Sequence, residues 1–362
     1  MNKKYVTLKD VCDKASSSIA QKDLVGNDGS YPIYGASGFI KNVDFYKQEK
    51  EYIAIVKDGA GIGRAMKLPA YSSVIGTMQY IIPRENINIS YLYYAICAMH
   101  LEKYFSGATI PHIYFKDYQK EKIYLPSLPE QEKIASIFEK LEWLIANKKK
   151  QLEHLDLLVQ SRFIEMFGDP VCNSKNLELR TLSELGELGR GVSKHRPRND
   201  PILLNGPYPL IQTGDVGSAD LFIRQYKATY SEKGLQQSRM WPAGTLCITI
   251  AANIAQTGIL TFKSCFPDSV VGFIPGKSIR NIYLYYWFTF LQSIIEMNAT
   301  QVAQKNINLQ ILGGLQVLVP DLCLQDEFVD FVKNIDKSKL AIQKSLDELE
   351  TLKKSLMQEY FG

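Results

Sequence analysis

The sequence predicts an α+β fold in which two similar globular domains are separated by two long antiparallel helices, paired as a coiled coil, in a pseudo-two-fold and nearly circular chain. Two observations carry this. The stretch Leu128 to Gly168 recurs without a gap as Leu322 to Gly362, with Leu128/Leu322, Gln131/Gln325, Leu152/Leu346, Leu155/Leu349 and Phe167/Phe361 among the identical pairs. The region before each copy also follows one plan, so the chain reads as domain 1–127, helix 128–168, domain 169–321 and helix 322–362. A self-match at constant spacing describes architecture before it describes function.

In the first domain, Tyr31 to Gly38 reads as an extended piece entering a turn, and Glu51 to Val56 as a buried strand. The glycine-rich loop Asp58 to Gly63 leads to a return strand at Arg64 to Leu68. Ser90 is the expected N-cap of a helix reaching Phe105, and Gly107 to Ile113 a loop. In the first long helix, Ile134, Ile137, Leu141, Leu144, Leu152, Leu155, Leu158 and Met166 fall mostly on the three-and-four spacing of a helix-pair seam. Pro129 to Glu132 suits a helix start, and Gly168-Asp169-Pro170 a stop. A helix of about 38 residues spans roughly 57 Å.

The second domain repeats the plan. Tyr208 to Asp215 stands where Tyr31 to Gly38 stood, Thr245 to Ile250 is the strand, Ala251 to Gln256 the loop and Thr257 to Phe262 the return strand. Tyr283-Leu284-Tyr285-Tyr286 repeats Tyr91-Leu92-Tyr93-Tyr94 at the head of a helix, and these tyrosines read as packing rather than as base-stacking platforms. The second long helix runs its seam through Phe328, Phe331, Ile335, Ile342, Leu346, Leu349, Leu352 and Leu356. Lys148 and Arg162 align with Ile342 and Leu356, polar groups that fix register at some cost in stability.

The net charge of +4 is modest, but its distribution is informative. Residues 1–128 hold 16 Lys/Arg against 12 Asp/Glu and residues 169–324 hold 14 against 11, while the helical segments hold 6 against 7 and 6 against 8. The positive charge lies on the globular domains, which permits a polyanionic partner without demanding one. Six cysteines are scattered without CxxC spacing, and the four histidines form no zinc pattern with them. No metal site is read, and mostly buried, reduced thiols in a cytoplasmic protein are expected; Cys97 and His100 are read as helix packing. The N-terminal stretch lacks the apolar core of a signal peptide, and no run is long enough for a membrane span.

Val56 to Gly63 resembles the strand and glycine loop that cradles a dinucleotide or S-adenosylmethionine. Such a loop needs a helix directly after its last glycine, and Pro69 falls inside where that helix would run. The paired loop Ala251 to Gln256 has no glycine, so a hairpin turn is favoured. Asn205-Gly206-Pro207-Tyr208 resembles a damaged Asn-Pro-Pro-aromatic tetrapeptide of amino-methyltransferases and is read as a plain turn. With no Walker loop, nucleophile elbow or nuclease-type carboxylate cluster, no catalytic residue is assigned.

The helix entries are Leu-Pro-Ser-Leu-Pro-Glu-Gln-Glu-Lys-Ile from Leu125 and Val-Pro-Asp-Leu-Cys-Leu-Gln-Asp-Glu-Phe from Val319. With Tyr-Pro-Leu-Ile-Gln-Thr-Gly-Asp-Val at Tyr208 to Val216 and the Phe-Gly helix endings, the chain resembles, over essentially its whole length, the DNA specificity (S) subunit of Type I restriction-modification systems. Cys323-Leu324 in place of Pro129-Glu130 departs from the pattern and is expected to loosen the second helix start. The resemblance implies a non-catalytic adaptor. Each globular part would be a target-recognition domain reading one half of a split sequence in double-stranded DNA, with the helices as the ruler between them. Two modification (M) subunits carrying S-adenosylmethionine would dock on the helices and methylate adenine. Restriction (R) subunits using ATP and Mg would join to make the nuclease, and this chain would bind no cofactor itself. Half-sites about one helical turn apart, roughly 34 Å, fall within the helix span, and a stiff link between two weak readers raises avidity.

Sequence reading is expected on the loops: Ser37, Lys57, Arg64, Lys67, Thr109 and His112 in the first domain, and Lys194, His195, Arg196, Arg198, Gln212, Asp215, Gln237, Arg239, Asn253, Gln256, Gln304 and Asn306 in the second. Arg, Gln and Asn pair bidentately with base edges, while lysines hold phosphates. Lys194 to Arg198 is the strongest cationic patch. The competing readings are a methyltransferase using Gly59 to Gly63, and a coiled-coil scaffold whose loops do nothing. The apolar seams predict self-association of the isolated chain.

Overall fold

The computed structural model describes residues 4–107, 111–251, 255–301 and 308–362, without the side chains of 293–301. The chain forms two compact units, Met1–Lys150 with Gln343–Gly362, and Gln151–Ile342. Each long helix, Leu128–Phe167 and Leu322–Phe361, gives one part to each unit.

In the first unit, strands Cys12–Ser16, Met78–Pro83, Tyr52–Val56 and Ala65–Leu68 form an antiparallel sheet in that order. Its two faces follow from the period of two along a strand. Ile53, Ile55 and Ile81 pack with the helix Ile89–Ala98 and the long-helix residues Ile134, Phe138 and Leu141, while Tyr52, Ala54, Val56 and Tyr80 build a second core on the other side. The glycine loop therefore joins two antiparallel strands, with Gly59 at φ +95° and Gly63 at φ +83°, backbone that favours glycine. No helix follows Gly63, so the loop lacks the geometry of a dinucleotide cradle.

The second unit repeats the scheme. Gly186–Arg190, Val270–Pro275, Leu246–Thr249, Thr257–Leu260 and Phe222–Ile223 make a five-stranded sheet whose last pair is parallel. One face packs on the helix Asn281–Gln301 and on Val159, Phe163, Phe167, Phe328 and Val332 of the long helices; the other meets Trp241 and Phe266. Where each chain segment enters a long helix, a two-stranded ribbon forms: Tyr5–Thr7 with Lys122–Tyr124, and Glu178–Thr181 with Gln316–Val319.

The repeated glutamines explain how each domain meets its helix. Gln131 is buried, accepts from the Asn88 N–H at 2.8 Å and donates to the carbonyls of Pro126 (3.0 Å) and Asn86 (3.3 Å). Gln325 makes the same three bonds, to the Arg280 N–H (2.8 Å) and the carbonyls of Pro320 (2.8 Å) and Ser278 (3.1 Å). The second helix begins at Leu322 as the first begins at Leu128, so Cys323-Leu324 does not loosen it; the glutamine, not the proline, secures the start. The tyrosines pack as expected: buried Tyr91 donates to the Tyr124 carbonyl (2.6 Å) and buried Tyr283 to that of Leu318 (2.8 Å). Phe361 lies against Tyr91, and Phe167 against Tyr283.

Within each unit the two helix segments run antiparallel. Lys353–Glu142 (2.6 Å) and Lys149–Glu350 (3.1 Å) order them in the first unit, Lys339–Asp156 (2.6 Å) and Arg162–Glu327 (2.6 Å) in the second. The buried seam differs from the sequence expectation. Leu144, Leu158 and Leu352 face outward, and Phe138, Val159, Phe163, Val329 and Val332 are buried instead. The occupied positions step by four and three through 134, 138, 141, 145, 148, 152, 155 and 159, so Leu144 and Leu158 lie one position off the stripe. Ile134, Leu141, Leu346 and Met166 are buried, while Ile137, Leu152, Leu155, Phe331, Ile335, Ile342, Leu349 and Leu356 are half-buried.

Other local expectations are corrected. Asn88, not Ser90, caps the helix Ile89–Ala98 by accepting from the Tyr91 N–H, and the helix stops before Phe105. Tyr208 to Asp215 ends in the short helix Thr213–Gly217 rather than a hairpin turn, because the Asp215 carboxylate accepts from the Gln212 N–H at 2.9 Å. All six cysteines are unpaired, but Cys172 and Cys323 are exposed. Among the described residues no helix is long and apolar enough to cross a membrane.

Candidate nucleic-acid interface

In the first unit three loops meet. Gly59 N–H donates to the Pro111 carbonyl (3.0 Å), Ile113 N–H to that of Lys57 (2.9 Å), and the Arg64 guanidinium to that of Ala36. These bonds gather Lys57, Arg64, His112 and the exposed hairpin residue Ser37. His112 Nδ1 lies 2.7 Å from Asp58 Oδ1, its ring stacks on half-exposed Tyr114, and Lys57 stands 3.7 Å from the same carboxylate. Ser106 Oγ donates to the His112 backbone carbonyl (3.2 Å) rather than to the ring, so Asp58 and His112 do not extend into a nucleophile relay. Lys67 is not part of this cluster. Its ammonium is held by Ser90 (2.8 Å) and by Glu139 of the long helix (3.1 Å). Thr109 lies outside the described residues.

In the second unit the patch Lys194 to Arg198 is an ordered loop. The Gln237 carbonyl oxygen accepts from the N–H groups of Lys194 (2.6 Å) and His195 (3.0 Å), and the Arg196 guanidinium donates to the Ser193 carbonyl (2.6 Å). Asp268 pairs with Arg198 (2.5 Å) and Arg196 (3.6 Å). His195 Nε2 meets Asp200 at 2.9 Å; that carboxyl is held below the usual aspartate range by the Ile202 N–H and then by His195. Beside the loop lies a cleft of about 330 Å³, lined by Ser193, Arg198, Asn199, Gln212, Thr213 and Tyr230 among others.

Three of the expected readers serve locally instead. Asp215 caps its short helix, Arg239 pairs with Glu187 (2.6 Å) over the Trp241 ring (3.9 Å), and the Gln256 side-chain oxygen is buried without a partner. Gln237 likewise secures the loop. Asn253, Gln304 and Asn306 lie outside the described residues. Sequence reasoning missed Asp58, Asp200, Asp268 and Asn199. An acidic residue that holds a cationic loop in shape carries no local signature, because its partners are distant in sequence, as with Asp268 and Arg198.

The arrangement thus offers cations, amides and hydroxyls on loops raised from two similar frameworks, donors suited to phosphates and base edges. Comparison with known proteins agrees with this architecture. The family model described as the Type I restriction modification DNA specificity domain matches residues 2–156 and 174–352. A putative type I restriction enzyme specificity subunit of Haemophilus influenzae is 23% identical over 352 residues, covering 91% of this chain and 83% of that protein. The putative MjaX specificity subunit of Methanocaldococcus jannaschii is 22% identical over 243 residues, 65% of this chain and 57% of the relative, so that match spans little more than half its length. In fold, the crystal structure of a Type-I restriction-modification S subunit from M. genitalium aligns with a TM-score of 0.69 at 15% identity, covering 100% of this chain and 97% of that one. With the family model matched to both repeats and the same fold recurring over the whole length, the chain belongs to the Type I restriction-modification DNA specificity family.

Proposed function

We propose that this chain is the DNA-reading adaptor of a Type I methyltransferase and nuclease, with each unit's globular domain reading one half of a two-part duplex target and the paired helices setting the gap. The observation that carries the reading is one framework used twice with different loop chemistry. The buried Gln131 and Gln325 make the same three bonds, whereas the loops present Lys57, Arg64 and His112 in one unit and Lys194, His195, Arg196 and Arg198 beside a cleft in the other. A shared scaffold with divergent loops suits two different half-sites. The helices pair as a coiled coil with pseudo-two-fold symmetry in a nearly circular chain.

The same reading assigns the partners. Two modification subunits carrying S-adenosylmethionine dock on the helices, and restriction subunits bring ATP and Mg; this chain supplies no catalytic group and no cofactor. Exposed Trp143, Leu144, Leu157 and Leu158 on the first long helix support such docking, since apolar side chains at these positions gain by being covered. The test is to co-express the chain with modification subunits and map methylated adenines. The expected result is a two-part motif with a fixed gap, one half of which changes when residues 170–320 are replaced by another recognition domain. A stable complex that methylates no such motif overturns the reading.

A further inference from the structure

We infer that each globular domain is tied to its helices at a second point, and that this tie sets which gap between half-sites is accepted; the inference rests on the two-part target proposed above. The buried glutamines anchor each domain at the start of a long helix, and one anchor leaves rotation about it. In both units a carboxylate stands about eleven residues further along, Glu142 and Asp336, roughly 16 Å from the glutamine.

In the first unit the Tyr94 hydroxyl donates to Glu142 (3.0 Å), which also holds Lys353 (2.6 Å). One turn earlier, Ser90 donates to Glu139 (2.6 Å). In the second unit Arg224 grips both oxygens of Asp336 (2.8 and 2.6 Å). Lys339, with its side chain 13% exposed, bridges Asp156 of the first long helix and Asp220 of the domain. The carboxylate position is common to both helices, but its partner is a hydroxyl in one unit and a guanidinium in the other.

Ties on partly exposed side chains add little to stability, typically below about 1 kcal/mol each. Their directionality is the larger effect, because a two-oxygen grip fixes orientation. A tilt of about 12° around the glutamine moves a point as distant as the second anchor by about 3.4 Å, the rise of one base pair. Glu139, Glu142, Arg224, Asp336 and Lys339 are therefore positioning residues for a gap they do not touch.

The test compares methylation maps for the full chain, in complex with its modification subunits, as wild type, Arg224→Ala, Tyr94→Phe and the reversed pair Arg224→Asp with Asp336→Arg. Arg224→Ala and Tyr94→Phe are expected to keep the bases of both half-sites and to raise methylation of sites whose gap is one base pair longer or shorter by about ten-fold relative to the proper site. The reversed pair is expected to restore the wild-type gap. A merely structural role lowers methylation everywhere without changing the gap. Unchanged gap selectivity in both single variants, each with wild-type thermal unfolding, overturns the inference; a wild-type complex with no two-part motif overturns the reading beneath it instead.

Discussion

At the scale of single residues, the chain relies on polar side chains bonded to backbone far away in sequence. Gln131→Ala leaves the Asn88 N–H and two carbonyls without a partner in a buried place, and is expected to destabilise the first unit by about 3 kcal/mol in urea unfolding. An unchanged midpoint would show that these groups find other partners. Glu139 supplies a pH signature. Its carboxyl is held below the ordinary glutamate value of 4.5 by the Ser90 hydroxyl first and by Lys67 after it. A carboxyl with a lowered folded pKa stabilises fully above its unfolded value and loses that contribution as pH falls through the folded one. Thermal unfolding should therefore lose stability below 4.5, less so in Glu139→Gln, and parallel pH curves would contradict this. The identity Gln131/Gln325 was legible in the sequence; its role was not. The bonds reach 43 and 45 residues back along the chain, beyond any local pattern.

At the scale of elements, helix and hairpin signals were legible where period alone decides. Val56 to Gly63 turned out a hairpin as Pro69 implied, and both long helices begin at the leucine their repeat indicated. The burial stripe was read one position off at Leu144, Leu158 and Leu352, since apolar residues on the outer face mimic the seam. The difference is measurable. Phe163 is fully buried among Phe167, Tyr283, Phe290 and Phe328, so Phe163→Ala should cost about 3–5 kcal/mol. Leu158→Ala, on a side chain 47% exposed, should change stability by less than about 0.5 kcal/mol yet weaken co-purification with modification subunits. Equal losses of stability from the two would contradict the seam described here.

At the scale of the whole molecule, the alternation of domains and helices was legible because the repeat has no gap, but the boundaries between compact units were not, since they fall inside the helices at Lys150 and Ile342. No composition shift marks those points; only packing does. The reading surfaces were partly legible: the cationic loop Lys194 to Arg198 was evident, while the acidic residues shaping it were not. The division into units also imposes a timetable on synthesis. Residues 151–342 form one uninterrupted unit, whereas the other is closed by residues 343–362, made only after all of them. At ribosomal speed that interval is roughly 10 to 40 s, during which the apolar face of Ile134, Phe138 and Leu141 waits for its cover from Leu356, Tyr360 and Phe361. A chain cut after Ile342 should keep the unfolding transition of the uninterrupted unit and lose or broaden the other in calorimetry; two intact transitions would contradict it. The nascent protein thus passes through a period when one recognition module is finished and the other is still sticky, a window in which chaperones or an early-arriving partner have the most to protect.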